Sequence, residues 1–528
     1  MPPASTIRRT LRHPQFRAMC TSGGVYFLGN AMQTMAAAWM MVELTGSSFL
    51  AALVQTAVFM PMFLFSLPAG VMADTADRRR LILVALSIQA AVGTLLAALM
   101  LAKVGGAGTI LFFVFLAGSC TAFLSPAWNS TISDAVPRHD MPQAITAIGI
   151  AYNAARALGP ALGGAVFLYL GGAWNFVFAV LSTLVMIQAI RRFPPKPHPP
   201  TRLPAERLWG GMVSALRFAW HSHIVLSQLL RAGAYSAAGS ALWALLPVIG
   251  QRQLGLGAAG FGLMMGCLGV GAIVAGLFMA RWRSRFGLEN LVAAGCVTFA
   301  LVMLVTAFSA WDPPVYAALI LGGGAWMAVM STFNTATQTS VPPWVRARAV
   351  AMHTLCALGA FAMGSAFWGA LSDLAGLSFA LTVAAICMAV GPLLARRFPL
   401  RMGETGEVTP ATPWEDLFQS LSTQPDPEAG PIAVEMGYRI LPANAEDFLD
   451  AISQLRAPRR RDGATFWRFY RDLSDPSRYV ERFIVTSWAD YLHQRARATR
   501  ADQEIEAHLR TFLLEGEVVT MQHYIAER

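Results

Sequence analysis

The chain has 528 residues, 55% of them hydrophobic and only 13% charged, with a mean hydropathy of +0.48; an average soluble domain carries roughly 25% charge. That balance excludes an ordinary soluble enzyme. The charge is also unevenly placed: residues 1–401 hold 26 Lys and Arg against 9 Asp and Glu, and residues 402–528 hold 14 against 21, so a basic apolar part is fused to an acidic polar one.

The basic start MPPASTIRRTLRHPQF precedes an apolar run too long for a signal-peptide core, so Arg8 and Arg9 read as orienting charges. A hydrocarbon layer roughly 30 Å thick takes about 20 apolar residues of helix. Twelve such segments follow: 17–42, 50–73, 81–102, 109–133, 144–169, 174–191, 224–249, 260–280, 288–309, 314–338, 348–373 and 377–396. With the N-terminus inside, 22 of the basic residues between the segments fall on the cytoplasmic side and only Lys103 and Arg252 on the other, which predicts both termini in the cytoplasm. The six cysteines all lie in apolar stretches without metal or disulfide spacing, and the basic residues sit in short clusters between spans. Disulfides, metals, cofactors and nucleic acid are therefore not expected.

The Pro-rich basic stretch FPPKPHPPTRLP divides the segments six and six. Offsetting the halves by 205 residues aligns NSTISDAVP (129–137) with NTATQTSVP (334–342), Gly159 with Gly364 and Gly164 with Gly369; an offset of 206 superposes residues 70–74 on 276–280. Two related six-helix bundles are the plan of a rocking secondary transporter. After Arg401 a polar, Pro-rich stretch leads to IAVEMGYRIL, a helix capped by Asn444, two strands in ATFWRFYRDL and YVERFIVTSW, one long helix over 489–513, and a last strand VVTMQHYIAE. The order βαββαβ is ferredoxin-like. The expected fold is thus an all-α polytopic membrane protein with twelve transmembrane helices in two six-helix repeats, followed by a small α+β ferredoxin-like domain. Its divisions are 1–195 (first bundle), 196–222 (cytoplasmic linker), 223–402 (second bundle), 403–430 (tether) and 431–528 (soluble domain).

Three features carry chemistry. PAGVMADTADRRRL ends the second segment, where Gly70 permits close approach, Asp74 can cap a neighbouring helix, and Arg78, Arg79 and Arg80 can pair with carboxylates at adjacent helix ends, with Asp134 a further gate residue. AYNAARALGPALGGAVF in the fifth segment sets Gly159, Gly163 and Gly164 on a smooth face and bends at Pro160. Arg156 in that segment lies about 18 Å from either end, a depth at which a guanidinium needs water or a partner. Asn30, Gln33, Asn153, Tyr235 and Arg231 are further candidate substrate contacts. No acid sits at mid-depth; Glu43, at the end of the first segment, is the candidate proton carrier, with Asp134 second. No Walker loop, HExxH or GxSxG occurs, and His493, His508 and His523 lack metal spacing, so no catalytic residue is assigned.

The 6+6 repeat, GVMADTADRRR and ALGPALGG together resemble the major facilitator superfamily, and FLSPAWNSTISDAVPRHDMPQAITAIGIAYNAARALGPALGG looks like its enterobactin-exporter-like branch. The resemblance implies a gating role for Gly70, Asp74 and Arg78–Arg80, although Thr75 and Asp77 replace the usual Arg and Gly. It also implies an antiporter motif in Gly159, Pro160, Gly163 and Gly164, with Ala155 and Thr146 where the family has glycines. The tail is similar to antibiotic-biosynthesis-monooxygenase-like domains. The expected function is secondary, proton-coupled export of a siderophore-like, drug-like or amphipathic small molecule across the inner or plasma membrane. The expected partners are the lipid bilayer, the substrate, a proton and a second copy bound through the tail. The alternative is a catalytic tail acting on a phenolic substrate through Trp467, Tyr470 or His493.

Overall fold

The computed structural model describes residues 10–75, 77–137, 140–192, 216–403, 408, 409, 411 and 425–527. Among them twelve long helices come first: α1 (Pro14–Thr45), α2 (Ser48–Thr75), α3 (Arg78–Leu101), α4 (Ala107–Asp134), α5 (Met141–Leu170), α6 (Ala173–Arg192), α7 (His223–Val248), α8 (Ala258–Phe286), α9 (Leu288–Phe308), α10 (Asp312–Thr339), α11 (Pro343–Ala375) and α12 (Leu377–Val390). Local chemistry sets several of their ends. Pro14 opens α1, where its missing N–H is no loss, and Gly46 closes it in the left-handed region at φ 63°. Asp77 caps α3 by accepting from the Arg80 amide.

Ten of the twelve carry a window long and apolar enough to cross a membrane. The two that fall short are α1, with Asn30, Gln33 and Glu43, and α5, with Asn153 and Arg156. Stripes such as Val84, Ile88 and Leu95 on α3 and Leu181, Leu184 and Val185 on α6 face outward at about helical spacing, which is the surface a bilayer solvates.

The chain packs as two units: residues 1–202, 230–333 and 354–397 in one, and 203–229, 334–353 and 398–528 in the other. Within the first, the internal repeat is expressed as equivalent contacts. A Cβ on Gly159 of α5 would lie 2.5 Å from Ala31 Cβ on α1, and one on Gly364 of α11 would lie 2.5 Å from Ser240 Oγ on α7. Five residues on, the sense of the contact changes: Gly164 seats on Ala258, Ala259 and Gly262 of α8, and Gly369 on Ser48, Phe49 and Ala52 of α2. Each repeat therefore uses one glycine within its own half and the next against the other half.

In the second unit the helical residues 216–221 and the start of α7 pack Phe218, Ala219 and Val225 on Val341, Val345 and Ala349. The tail follows as β1 (Ile432–Arg439), α13 (Ala445–Ser453), α14 (Arg456–Asp462), β2 (Phe466–Arg471), β3 (Arg478–Val485), α15 (Trp488–Arg497), α16 (Arg500–Arg510) and β4 (Thr520–Ile525). Its sheet has the order β2-β3-β1-β4, with every pairing antiparallel, the ferredoxin-like arrangement. Three details depart from expectation. The single helix over 489–513 is two, because Thr499 and Asp502 form a capping box that starts α16 afresh. The extra helix α14 was unforeseen in so basic a run, RAPRRRD. Asn444 stands at the N-cap of α13 but makes no side-chain bond there.

The tail is attached at more than its connecting chain. Arg217 donates to the Gly463 carbonyl at 2.8 Å, and the described fragments of the connection pair with α15 and α16, Ala411 N to Ala498 O and Arg500 N to Thr409 O. The rest of that connection, and most of the linker before residue 216, lie outside the described residues.

A fully enclosed carboxylate organises the tail. Glu481 accepts from Arg459 Nε at 3.1 Å, Trp467 Nε1 at 2.8 Å and the Tyr438 hydroxyl at 3.1 Å, and Arg459 also pairs with Glu506 at 2.9 Å. Removing one member strands the others without water. Glu481→Ala is expected to destabilise the tail by about 3–5 kcal/mol, seen calorimetrically as a lower midpoint for the transition that vanishes when residues 405–528 are deleted, with the membrane part unchanged.

Candidate substrate site and gates

Where α5, α7, α8 and α10 meet, Asn153, Arg156, Trp243, Gly269, Gly323 and Trp326 line a cavity of about 30 Å³, enough for one water. Glycine makes this convergence possible: a Cβ on Gly269 would lie 2.4 Å from Ala157 Cα, and one on Gly323 would lie 1.8 Å from the Leu268 carbonyl oxygen. The Arg156 guanidinium lies over the Trp243 ring, 4.7 Å from its centroid. Among the described residues it has no carboxylate within ion-pair distance. Trp243 Nε1, a donor, and the Tyr235 hydroxyl, which can donate or accept, are buried without a partner among the described residues. Tyr235 extends the aromatic wall, 5.2 Å from Trp326 between ring centroids.

The other candidates divide. Asn153 lines the cavity while its amide donates to the Gly149 carbonyl at 2.8 Å. Asn30 belongs to a network inside the first half, accepting from Gln89 Nε2 at 3.3 Å, while Gln89 accepts from the Tyr26 hydroxyl at 2.9 Å. Gln33 is buried on α1. Arg231 is not brought to the cavity: it is buried and bonds Glu289 at the start of α9 at 2.6 Å. Trp243, Trp326 and Gln89 are not among the residues expected from sequence, where nothing beyond residue type marks them.

At the other end of α2, a Cβ on Gly70 would meet nothing within 4 Å. The side chains of Asp74 and Asp134 lie outside the described residues. Asp77 is the residue that caps α3, Arg78 Nε reaches the Ala73 carbonyl at 3.4 Å, and Arg79 donates to the Arg191 carbonyl at the end of α6 at 3.0 Å. Arg80 is exposed. Glu43 is exposed near the end of α1, accepting from Trp39 Nε1 at 2.6 Å.

The α5 motif spans two interfaces. Gly159 and Gly163 face α1, whereas Gly164 and the Pro160 carbonyl face Gly262 of α8, whose Cβ would come 2.4 Å from that oxygen. In the tail, a cavity of about 180 Å³ is lined by Met436, Arg459, Phe483, Tyr491, Arg495 and Met521, among others. Trp467 is committed to Glu481, Tyr470 and His493 are exposed, and none of the three lines that cavity. His523 bonds the Tyr491 hydroxyl at 2.7 Å, and burial holds its imidazole below the ordinary range.

A family model described as a transmembrane secretion effector matches residues 5–528. The chain belongs to that family, and it is a secondary transporter of the major facilitator type that exports small molecules across a membrane. It is 26% identical over 387 residues to the multidrug efflux pump Tap of Mycobacterium tuberculosis, covering 70% of this chain and 90% of Tap. It is 24% identical over 369 residues to the enterobactin exporter EntS of Salmonella typhimurium, covering 68% and 86%. Among solved structures, a single-site mutant of the nucleoside transporter NupG superposes with a TM-score of 0.63 at 12% identity, over 73% of this chain and 99% of that one, a likeness of fold alone.

Proposed function

We propose that the protein exports planar, acceptor-rich amphipathic molecules, aromatic acids or polyphenols of drug-like or siderophore-like character, by alternating access between its two six-helix halves. The observation that carries this is Arg156 lying over Trp243 with no acid to neutralise it among the described residues, beside an indole N–H that has no partner among them. A guanidinium and an indole N–H, which can only donate, select acceptors, and an aromatic wall selects flat apolar bodies. The multidrug and enterobactin exports named for Tap and EntS suit such a substrate.

In this reading Arg156, Asn153 and Tyr235 contact substrate, with Asn30 and Gln33 on the α1 side, and Gly70, Asp74, Arg78–Arg80 and Asp134 gate the cytoplasmic end. The membrane is the inner or plasma membrane, with both termini in the cytoplasm; the distribution of basic residues supports this. Protons drive the exchange, with Glu43 the candidate carrier. The tail dimerises through its sheet, whose exposed Tyr470 and Tyr524 lie on the terminal strands β2 and β4. The test is accumulation of an aromatic-acid panel in cells with and without the protein, the proton gradient being collapsed in a parallel arm. Lower accumulation that the uncoupler abolishes supports the reading; equal accumulation of every compound rejects the substrate class.

A further inference from the structure

The two seams between the halves, α5 with α8 and α11 with α2, are related by the internal repeat through Gly164 and Gly369, yet their polar chemistry differs. The first turn of α8 follows Gly257 and has no side-chain cap. At α2, the carboxylate of Asp373, four residues beyond Gly369 on α11, accepts from the Ser48 amide at 2.8 Å, the Phe49 amide at 3.1 Å and the Ser47 hydroxyl at 2.6 Å. Ser47 Oγ in turn accepts from the Leu50 amide at 3.2 Å. Three of the amides that a helix start leaves without an internal partner are thus satisfied, two of them by a residue of the opposite half. The offset that pairs Gly164 with Gly369 places Leu168 opposite Asp373, so the equivalent position on the other seam is apolar.

We propose that Asp373 is the latch of the gate at the end of the molecule where α2 begins. This rests on the reading of the two halves as parting and closing in turn. Opening here takes the carboxylate off α2. Helix start and carboxylate then both turn to water, which is at hand because Asp373 is exposed. The latch therefore biases the closed state without locking it, by about five- to thirty-fold for a set of charge-assisted bonds at a helix N-terminus. Apolar packing lies behind it: Ala52 against Gly369, and Phe59 against Phe361 at 5.1 Å. Thr56, whose hydroxyl donates to the Ala362 carbonyl across the same seam at 2.8 Å, is a convenient place for a reporter.

The experiment uses the full chain in detergent, with its six cysteines replaced by alanine and Thr56→Cys introduced. The initial rate of maleimide labelling at position 56 is compared in backgrounds carrying Asp373, Asp373→Ala, Asp373→Glu or Gly369→Leu, with thermal unfolding measured alongside. Asp373→Ala should raise the rate about five- to thirty-fold, Asp373→Glu should stay near the parent, and Gly369→Leu, a steric wedge at the same seam, should also raise it. If the wedge raises labelling and Asp373→Ala only lowers the unfolding midpoint, Asp373 merely caps α2 and the latch is rejected. If neither change moves the rate, the halves do not part at this seam, and the alternating-access reading fails with it.

Discussion

Arg156→Ala is expected to weaken binding of a planar aromatic acid by ten- to a hundred-fold, about 1.5–3 kcal/mol for hydrogen bonds to a charged partner, with insertion unchanged and only a small loss of thermal stability. That loss is limited to the contact with the Trp243 ring, about 0.5–2 kcal/mol, because Arg156 makes no ion pair among the described residues. Arg156→Lys keeps the charge but loses the planar fork that grips two oxygens and lies flat on an indole, so it should fall between the two. Titration of the purified protein with a hydroxybenzoic acid, followed by tryptophan quenching, measures this directly. Wild-type affinity in Arg156→Ala would make the residue structural and move the site to other groups facing the cavity. A neutral aromatic amide serves as the contrast, since its affinity should depend on Trp243 and Trp326 and little on Arg156.

Much of the architecture was legible because membrane solvation enforces it. A backbone crossing hydrocarbon must satisfy its own hydrogen bonds, so long apolar runs can only be helices, and the twelve expected segments match α1–α12 within a few residues. The tail's strand order was readable from alternation, but its helices were less so. The break at Thr499 needed the capping box with Asp502 to be weighed against unbroken helical periodicity. Site chemistry was legible where one residue violates its surroundings, as Arg156 does. It was not legible where the meaning depends on which helices meet: Arg231 looks like a second cavity cation, yet its guanidinium is spent on Glu289. In sequence Asp373 is one acid among those near the outer ends of the segments, and only the geometry shows that the helix it caps belongs to the opposite half.

The α5 motif separates folding from transport within six residues, and alanine at two of its glycines should show it. At Gly159 the added methyl meets Ala31 Cβ at 2.5 Å, inside the first half. That contact persists in any state of a rigid half, so Gly159→Ala should lower stability by about 1–3 kcal/mol of overpacking; its transport, per folded molecule, should stay near normal. At Gly164 the methyl meets the Ala258 carbonyl oxygen at 2.8 Å and Ala259 Cα at 3.0 Å, both backbone of α8 in the other half. Those atoms cannot swing aside as a flexible side chain can, so the seam itself must open. Closure at this end then becomes costly, by about the same 1–3 kcal/mol, while the separated state meets no clash. Gly164→Ala should therefore insert and melt like the parent but spend more of its time with the seam open, with transport reduced about ten-fold or more for each 1.4 kcal/mol lost from the closed state if closing limits the cycle. Flux assays normalised to folded protein, beside calorimetry of both variants, would read the two outcomes separately. Normal flux in Gly164→Ala, or a stability loss there equal to that of Gly159→Ala, would mean that the α5–α8 contact is permanent and that the halves do not separate along it.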